Sequence, residues 1–193
     1  MKFWKKVGLL VLAMMLCVGS VLAADSNKIA REKLEIRNKV ATTLENLYEL
    51  KPRAKRVIAE CPGYAVFVNS GYRAIVWGGG HGRGLARNNR TGEEVFMKMG
   101  EYSVGLGLGA KEYAMVFVFG TTDAYNKFVN SGWKFGAEGE LTAKDRESGG
   151  AYEGAVCVGR EIWVYQMATR GLMASVDLKG TEYYRNKKLS PKK

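Results

Sequence analysis

The chain has 193 residues, of which 47% are hydrophobic and 25% are charged, with 24 glycines and 3 prolines. This composition is typical of one globular domain and excludes a disordered or collagen-like chain. The formal net charge of +11 favours attraction to anionic surfaces such as phospholipid headgroups, nucleic acid or acidic polymers.

The first 23 residues have the pattern of an export signal. Three lysines stand near the start of the chain: Lys2, Lys5 and Lys6. Residues 7–18 form an apolar stretch that is too short to span a bilayer comfortably, and residues 21–23 suit cleavage before Ala24. Losing three lysines would lower the net charge from +11 to +8. We therefore expect a periplasmic or secreted protein, peripheral on a membrane, with an uncleaved amphiphilic anchor as the alternative. In that location, lipid or an envelope polymer is a better partner than nucleic acid.

Two helices are predicted next. Residues 27–50 carry apolar side chains at spacings of three, four and seven, which predicts an amphipathic helix. These side chains are Ile29, Ile36, Val40, Leu44, Leu47 and Tyr48. Pro52 interrupts that helix and fits the first position of a second one, which Pro62 and Gly63 end. The apolar stripe of the second helix is Ala54, Val57, Ile58 and Cys61.

From Tyr64 onward the hydrophobic period changes to two, which indicates strands. Strands are predicted over residues 64–68, 74–77, 84–87, 94–98, 102–108, 113–119, 133–141, 155–158, 161–168 and 172–178. A hairpin turn is predicted at 88–92, a short helix from Thr121 to Gly132 and a polar loop at 142–150. The prediction is an α+β fold with N-terminal amphipathic helices packed on a curved, glycine-rich antiparallel sheet or barrel with one inserted helix. It forms a single domain over 24–184, followed by a basic tail over 185–193, of which we expect residues 189–193 to be frayed.

Catalytic and metal sites find little support in the sequence. His81 is the only histidine, and no CxxC pattern is present, which argues against zinc and against a histidine-assisted nucleophile. The carboxylates are dispersed, and none stands out as a catalytic pair. We expect no enzyme activity and no cofactor. Cys61 and Cys157 either pair in an exported protein or remain buried thiols.

The glycine-rich segment 78–84, GGGHGRG, has two interpretations. It is a bulged hairpin or barrel corner that needs glycine backbones, or a loop whose backbone N–H groups converge on phosphate. Arg83 would add a bidentate partner for the phosphate.

The strongest electrostatic feature is a set of four bases within six residues: Lys51, Arg53, Lys55 and Arg56. A basic amphipathic surface can lie on an anionic membrane, gaining about 1 kcal/mol per Lys or Arg near the surface. The alternative is a solvated helix face. Arg83 and Arg87 are further candidates for headgroup contacts.

Several ordered motifs resemble the SYLF domain family. They are CPGYAVFV at 61–68, GGGHGRG at 78–84, YSVGLGLG at 102–109, a helix followed by GWKFGAEG within 122–139, and YQMATRGLMASVDLKG at 165–180. The chain looks like an exported bacterial member of this lipid-binding family, which is related to the actin-patch Ysc-type domain of yeast and other fungi.

The resemblance implies non-enzymatic binding of phosphoinositides or other acidic phospholipids. Some eukaryotic relatives bind actin filaments, but an exported protein does not meet cytoplasmic actin. The alternative function is an envelope structural or interaction protein that binds a polymer or a protein partner.

Overall fold

A computed structural model describes the backbone of residues 2–69, 78–103, 113–134, 152, 154–159, 161–168, 171–172 and 181–192. The helices are α1 (Lys2–Leu50), α2 (Pro52–Glu60) and α3 (Thr122–Ser131). The strands are β1 (Gly63–Asn69), β2 (Gly78–Asn88), β3 (Glu94–Ser103), β4 (Tyr113–Phe119), β5 (Trp133–Lys134), β6 (Val156–Gly159), β7 (Ile162–Ala168), β8 (Gly171–Leu172) and β9 (Thr181–Arg185). The predicted strand at 74–77 and the loop at 142–150 lie outside the described residues.

The chain divides into two compact units, Met1–Glu35 and Ile36–Lys193. In the first unit the described backbone is helical from Lys2 onward, whereas the sequence predicted a helix only from residue 27. Among the residues that the structure describes, no helix has a stretch long and apolar enough to cross a membrane.

The second unit is built on one antiparallel sheet that curls into a half-barrel. Its strand order is β5-β9-β3-β2-β1-β4-β7-β6, with β8 paired to β7. The predicted α+β architecture with helices on a curved sheet is confirmed. The glycine-rich segment 78–84 is part of β2 and pairs residue by residue with β3, from Gly78 opposite Ser103 to Gly84 opposite Met97. The segment is therefore a regular strand, neither a phosphate-cradling loop nor a bulge.

The inner face of the sheet is filled by aromatic side chains. Phe67 and Phe117 lie on adjacent strands with ring centroids 5.8 Å apart in an edge-to-face arrangement. The cluster also includes Phe119, Phe128, Trp133 and Tyr183, all of them buried. Edge-to-face pairs add about 0.5–1.5 kcal/mol each beyond their buried area. Aromatic packing thus occupies the described part of the inner face, where an acyl chain would need open space.

The outer face is covered by the second half of α1 and by α2. Alternation along the strands places Val66, Val116 and Tyr165 on the face opposite the aromatic cluster, and all three are buried. The helices contribute their own buried side chains: Ile36, Val40, Leu47, Ala54, Val57 and Ile58. The apolar stripes predicted from the sequence are therefore core-facing.

Helix α3 begins and ends as the sequence predicted. Thr121 is its N-cap, since the Thr121 hydroxyl accepts a hydrogen bond from the backbone N–H of Ala124 at 3.3 Å. Gly132 ends the helix at a φ of 78°, a left-handed backbone that glycine adopts without penalty. A Cβ at Gly132 would also lie 2.7 Å from the carbonyl oxygen of Tyr183.

The C-terminal segment differs from the prediction of a frayed basic tail. Strand β9 pairs with β3, and the chain beyond it stays attached because the N–H of Asn186 donates to the carbonyl of Phe96 at 2.9 Å. Leu189 is only 2% exposed, and the hydroxyl of Ser190 accepts the N–H of Phe96 at 2.8 Å. Strand β9 was missed although Thr181 and Tyr183 are buried while Tyr184 is exposed, a period-two pattern that was readable in the sequence.

Candidate functional site

Helix α2 presents the predicted basic cluster on its solvent side. Its buried side chains, Ala54, Val57 and Ile58, pack into the protein. Arg53, Lys55 and Arg56 are exposed, and the first turn carries no acidic residue. The positive field of the helix N-terminus and the cationic side chains therefore have the same sign, an arrangement that an anion would stabilise.

Hydrogen bonds fix α2 at both ends. The N–H of Lys51 donates to the carbonyl of Leu47 at 2.7 Å, which joins α2 to α1. Pro52 supplies the preset φ of a first helical residue. At the other end, the side-chain amide of Asn89 donates to the carbonyls of Ile58 at 2.6 Å and Cys61 at 2.9 Å. The β2–β3 turn thus holds α2 in place.

Lys51 differs from the other three bases of the cluster. It is half-buried, and its aliphatic stem lies against Gly154, where an added Cβ would come within 2.9 Å of the Lys51 Cε. Long cationic side chains pack their aliphatic stems against the protein and keep the charged end in water. Lys51 therefore helps to hold the start of α2 in place and also adds a positive charge there.

The other two predicted residues, Arg83 and Arg87, lie on β2, four positions apart and on the outer face of the sheet. Both are exposed. Arg87 is 3.6 Å from the carboxylate of Glu94, which is held more closely by Arg37 at 2.7 Å. Arg87 therefore already shares an acidic partner.

Arg83 stands directly opposite Lys98 in the β2–β3 ladder. Both side chains are exposed, so two cations are neighbours on one face, which is destabilising unless a counter-ion or another group offsets it. Lys98 was not predicted as a site residue. The predicted strands 84–87 and 94–98 would have revealed it, because pairing residue 87 with residue 94 places 83 opposite 98.

The titratable groups packed next to α2 lack the features of a catalytic centre. The thiol of Cys61 is buried and donates to the carbonyls of Ile58 at 3.2 Å and Gly63 at 3.1 Å. Burial raises the pKa of Cys61 to about 11 and that of Tyr48 to about 12. A thiol with so high a pKa is a poor nucleophile at neutral pH. Cys157 is also a thiol, and the described residues contain no cluster of three potential metal ligands.

Comparisons with known proteins identify the domain. Residues 100–192 match the family model Ysc84, described as "Las17-binding protein actin regulator", which is the SYLF family. Residues 100–192 of this chain are similar to the SYLF domain family. The chain is also similar to Beta cell expansion factor A of Aeromonas veronii, with 29% identity over 173 residues, covering 84% of this chain and 61% of the relative.

The matched region has defined limits in the fold. The family match begins within β3 and continues through β4, α3 and β9. The basic helix α2 precedes that region and lies outside it. The chain spans 61% of the length of the relative. Similarity to the SYLF family supports a lipid-binding type of domain.

Proposed function

We propose that this SYLF-like domain binds anionic lipid at a membrane surface without catalysing a reaction, and that α2 contacts the headgroups. One observation carries the proposal: the buried face of α2 directs Arg53, Lys55 and Arg56 into solvent. Similarity to the family supports the lipid class, and the net charge of +11 supports attraction to acidic phospholipids.

The expected binding is electrostatic and peripheral. Each cation near an anionic surface contributes about 1 kcal/mol, so three exposed cations give on the order of 3 kcal/mol before any further contacts. Ala54, Val57 and Ile58 are already buried inside the protein, so α2 has no free apolar face to insert between acyl chains. Docking at headgroup depth follows, with affinity that falls as salt rises.

The two arginines of β2 have a supporting role in this proposal. Arg83 stands opposite Lys98, and both side chains are exposed, so an anionic headgroup placed between them would contact two positive charges. Arg87 contributes less, because Glu94 already offsets its charge.

A pair of matched charge reversals tests the role of α2. The double variant Lys55→Glu/Arg56→Glu and the control Lys187→Glu/Lys188→Glu each lower the net charge by the same amount, and all four side chains are exposed. Co-sedimentation with vesicles containing phosphatidylinositol phosphate or phosphatidylglycerol gives the readout. We expect the α2 variant to lose roughly tenfold or more in vesicle affinity and the control to lose much less. Equal losses would show that only net charge matters and would reject α2 as the docking surface.

The second candidate is a protein or polymer partner in the envelope. It is favoured by the description of the matching family, which names binding to a protein. This alternative predicts retention on envelope material from which lipid has been extracted, together with no sedimentation on vesicles of either charge.

We also propose that residues 1–23 direct export and are removed before Ala24. The three lysines followed by the apolar stretch at 7–18 support this proposal. Intact-mass measurement of the protein recovered from its native host should give a chain that begins at Ala24. A recovered chain that retains Met1 or Lys2 would contradict cleavage and support the anchor.

A further inference from the structure

A cleft of about 500 Å³ opens beside the ends of β3, β9 and α3, away from α2. Its polar lining consists of Glu93, Glu94, Asn130, Arg185, Ser190 and Lys192. The volume is within the range of small-molecule sites. Both signs of charge therefore line one small cleft that the proposed membrane surface does not use.

One buried polar atom of a residue that lines this cleft lacks a partner. The Nε of Arg185 is buried and has no hydrogen-bond partner among the described residues. An unsatisfied buried donor is energetically costly, so a ligand that accepts its N–H would recover that energy.

The guanidinium of Arg185 is held in a fixed orientation. Its Nη2 donates to the side-chain oxygen of Asn130 at 3.2 Å, which leaves the Nε–H available from a planar, preorganised donor. The amide nitrogen of Asn130 then remains a donor on the same side. This arrangement suits the oxygens of a phosphate or carboxylate.

The two carboxylates of the cleft are not equivalent. Glu94 is held by Arg37 at 2.7 Å and lies 3.6 Å from Arg87. Glu93 is exposed, and no ion pair involves it in the described part of the chain. Glu93 is therefore the acceptor that remains for a cationic group.

We propose that this cleft binds a small zwitterion that carries an oxyanion and a primary ammonium group. The oxyanion meets the Nε–H of Arg185 and the amide of Asn130, and the ammonium donates to Glu93. The zwitterion is either free in solution or the headgroup of a lipid. The proposal does not rest on α2 and stands whether or not that helix docks on membranes.

Calorimetric titration of the full chain with soluble probes tests the site. Glycerophosphoethanolamine carries both groups, whereas glycerophosphocholine keeps the phosphodiester and has no N–H to donate. We expect the ethanolamine probe to bind roughly tenfold more tightly, since one charge-assisted hydrogen bond is worth about 1.5–3 kcal/mol. Equal affinity for the two probes, or binding of neither, would overturn the proposal.

Two variants and one control locate the binding. Glu93→Gln should remove the preference for ethanolamine over choline, and Asn130→Ala should weaken both probes. Glu45→Gln, an exposed carboxylate on α1, should change neither. In an NMR spectrum of the ¹⁵N-labelled full chain, the Arg185 Nε–H signal should shift on titration. An unmoved Arg185 signal during binding would place the ligand elsewhere and refute the site.

A vesicle experiment separates the two sources of the zwitterion. Neutral vesicles of phosphatidylethanolamine mixed into phosphatidylcholine present the headgroup without net charge. Displacement of soluble probe by these vesicles, but not by phosphatidylcholine alone, identifies a lipid headgroup as the ligand. Probe binding without displacement identifies a free zwitterion.

Discussion

At the residue scale, burial determines how a side chain can react or bind more than the residue type does. Cys61 is the clearest case, because the sequence left a disulfide and a buried thiol equally open. The structure shows a thiol at a 7% exposed residue with two backbone carbonyls as acceptors. Lys51 and Arg56 were likewise both predicted from the sequence as headgroup contacts, yet Lys51 is half-buried and Arg56 is exposed. Exposure of one residue depends on distant packing, so spacing alone does not predict it.

The raised pKa of Cys61 predicts a loss of stability in alkali. The pKa of the Cys61 thiol in the folded state lies near 11, against an ordinary value of 9.0 for a thiol, with burial as the main cause. The unfolded chain therefore releases its proton first as pH rises, and stability falls between about pH 9 and 11. Two pKa units correspond to roughly 2–3 kcal/mol. Urea unfolding at pH 8 and pH 11 measures the difference.

The variant Cys61→Ala provides the comparison. This variant is less stable than the parent at both pH values, because the packing of the side chain is lost. The further decrease in its free energy of unfolding between pH 8 and pH 11 should be smaller than in the parent, because the variant has tyrosines with raised pKa values but no thiol at position 61. Tyr48, with a pKa raised to about 12, contributes to the remaining loss. An identical pH dependence in the two proteins would show that the thiol ionises as readily in the folded state as in the unfolded chain.

Among the elements, β2 shows how much of the fold the sequence contains. Its C-terminal end, the turn and β3 were predicted from alternation and turn residues, whereas the segment 78–84 was read as a loop or corner. Glycine lowers the strand signal because it has no side chain to alternate. The reason for glycine lies in the neighbouring strand. A Cβ at Gly84 would collide with the carbonyl oxygen of Val66 and with the ring of Phe67.

Gly84 and Gly82 should respond differently to alanine. Gly84→Ala is expected to cost about 1–3 kcal/mol, because overpacking forces backbone or ring shifts. At Gly82 the nearest atom to an added Cβ is the terminal methyl of Met99 at 2.9 Å, which can move. Gly82→Ala should therefore cost clearly less, which urea unfolding of the two variants would show. Equal free energies of unfolding would mean that Phe67 adapts as easily as Met99.

Contacts between distant elements explain what the sequence could not supply. The α1–β3 ion pair of Arg37 and Glu94 joins residues 57 apart in the chain, and the cleft beside β3 and β9 exists only because these two strands pair. The sequence revealed the basic cluster because its four bases are close together in the chain. The structure was needed to show that three of them are exposed and that Lys51 is half-buried. Local patterns therefore predict elements, and strand pairing determines the sites.

At the scale of the whole molecule, our two proposals concern different parts of the fold. Helix α2 presents exposed cations, while charged and polar groups of both signs line the cleft at the ends of β3, β9 and α3. The first arrangement suits an extended anionic surface, and the second suits a single small molecule. The proposals therefore predict one binding event that responds to salt and another that responds to ligand shape.

The most direct test of the central claim is sedimentation of the full chain with neutral and anionic vesicles at two salt concentrations. Raising salt from about 0.1 M to about 1 M shortens the Debye length from about 10 Å to about 3 Å. We predict binding to anionic vesicles alone, and its loss at the higher salt. Equal binding to neutral and anionic vesicles, or binding that persists at the higher salt concentration, would contradict electrostatic docking through α2.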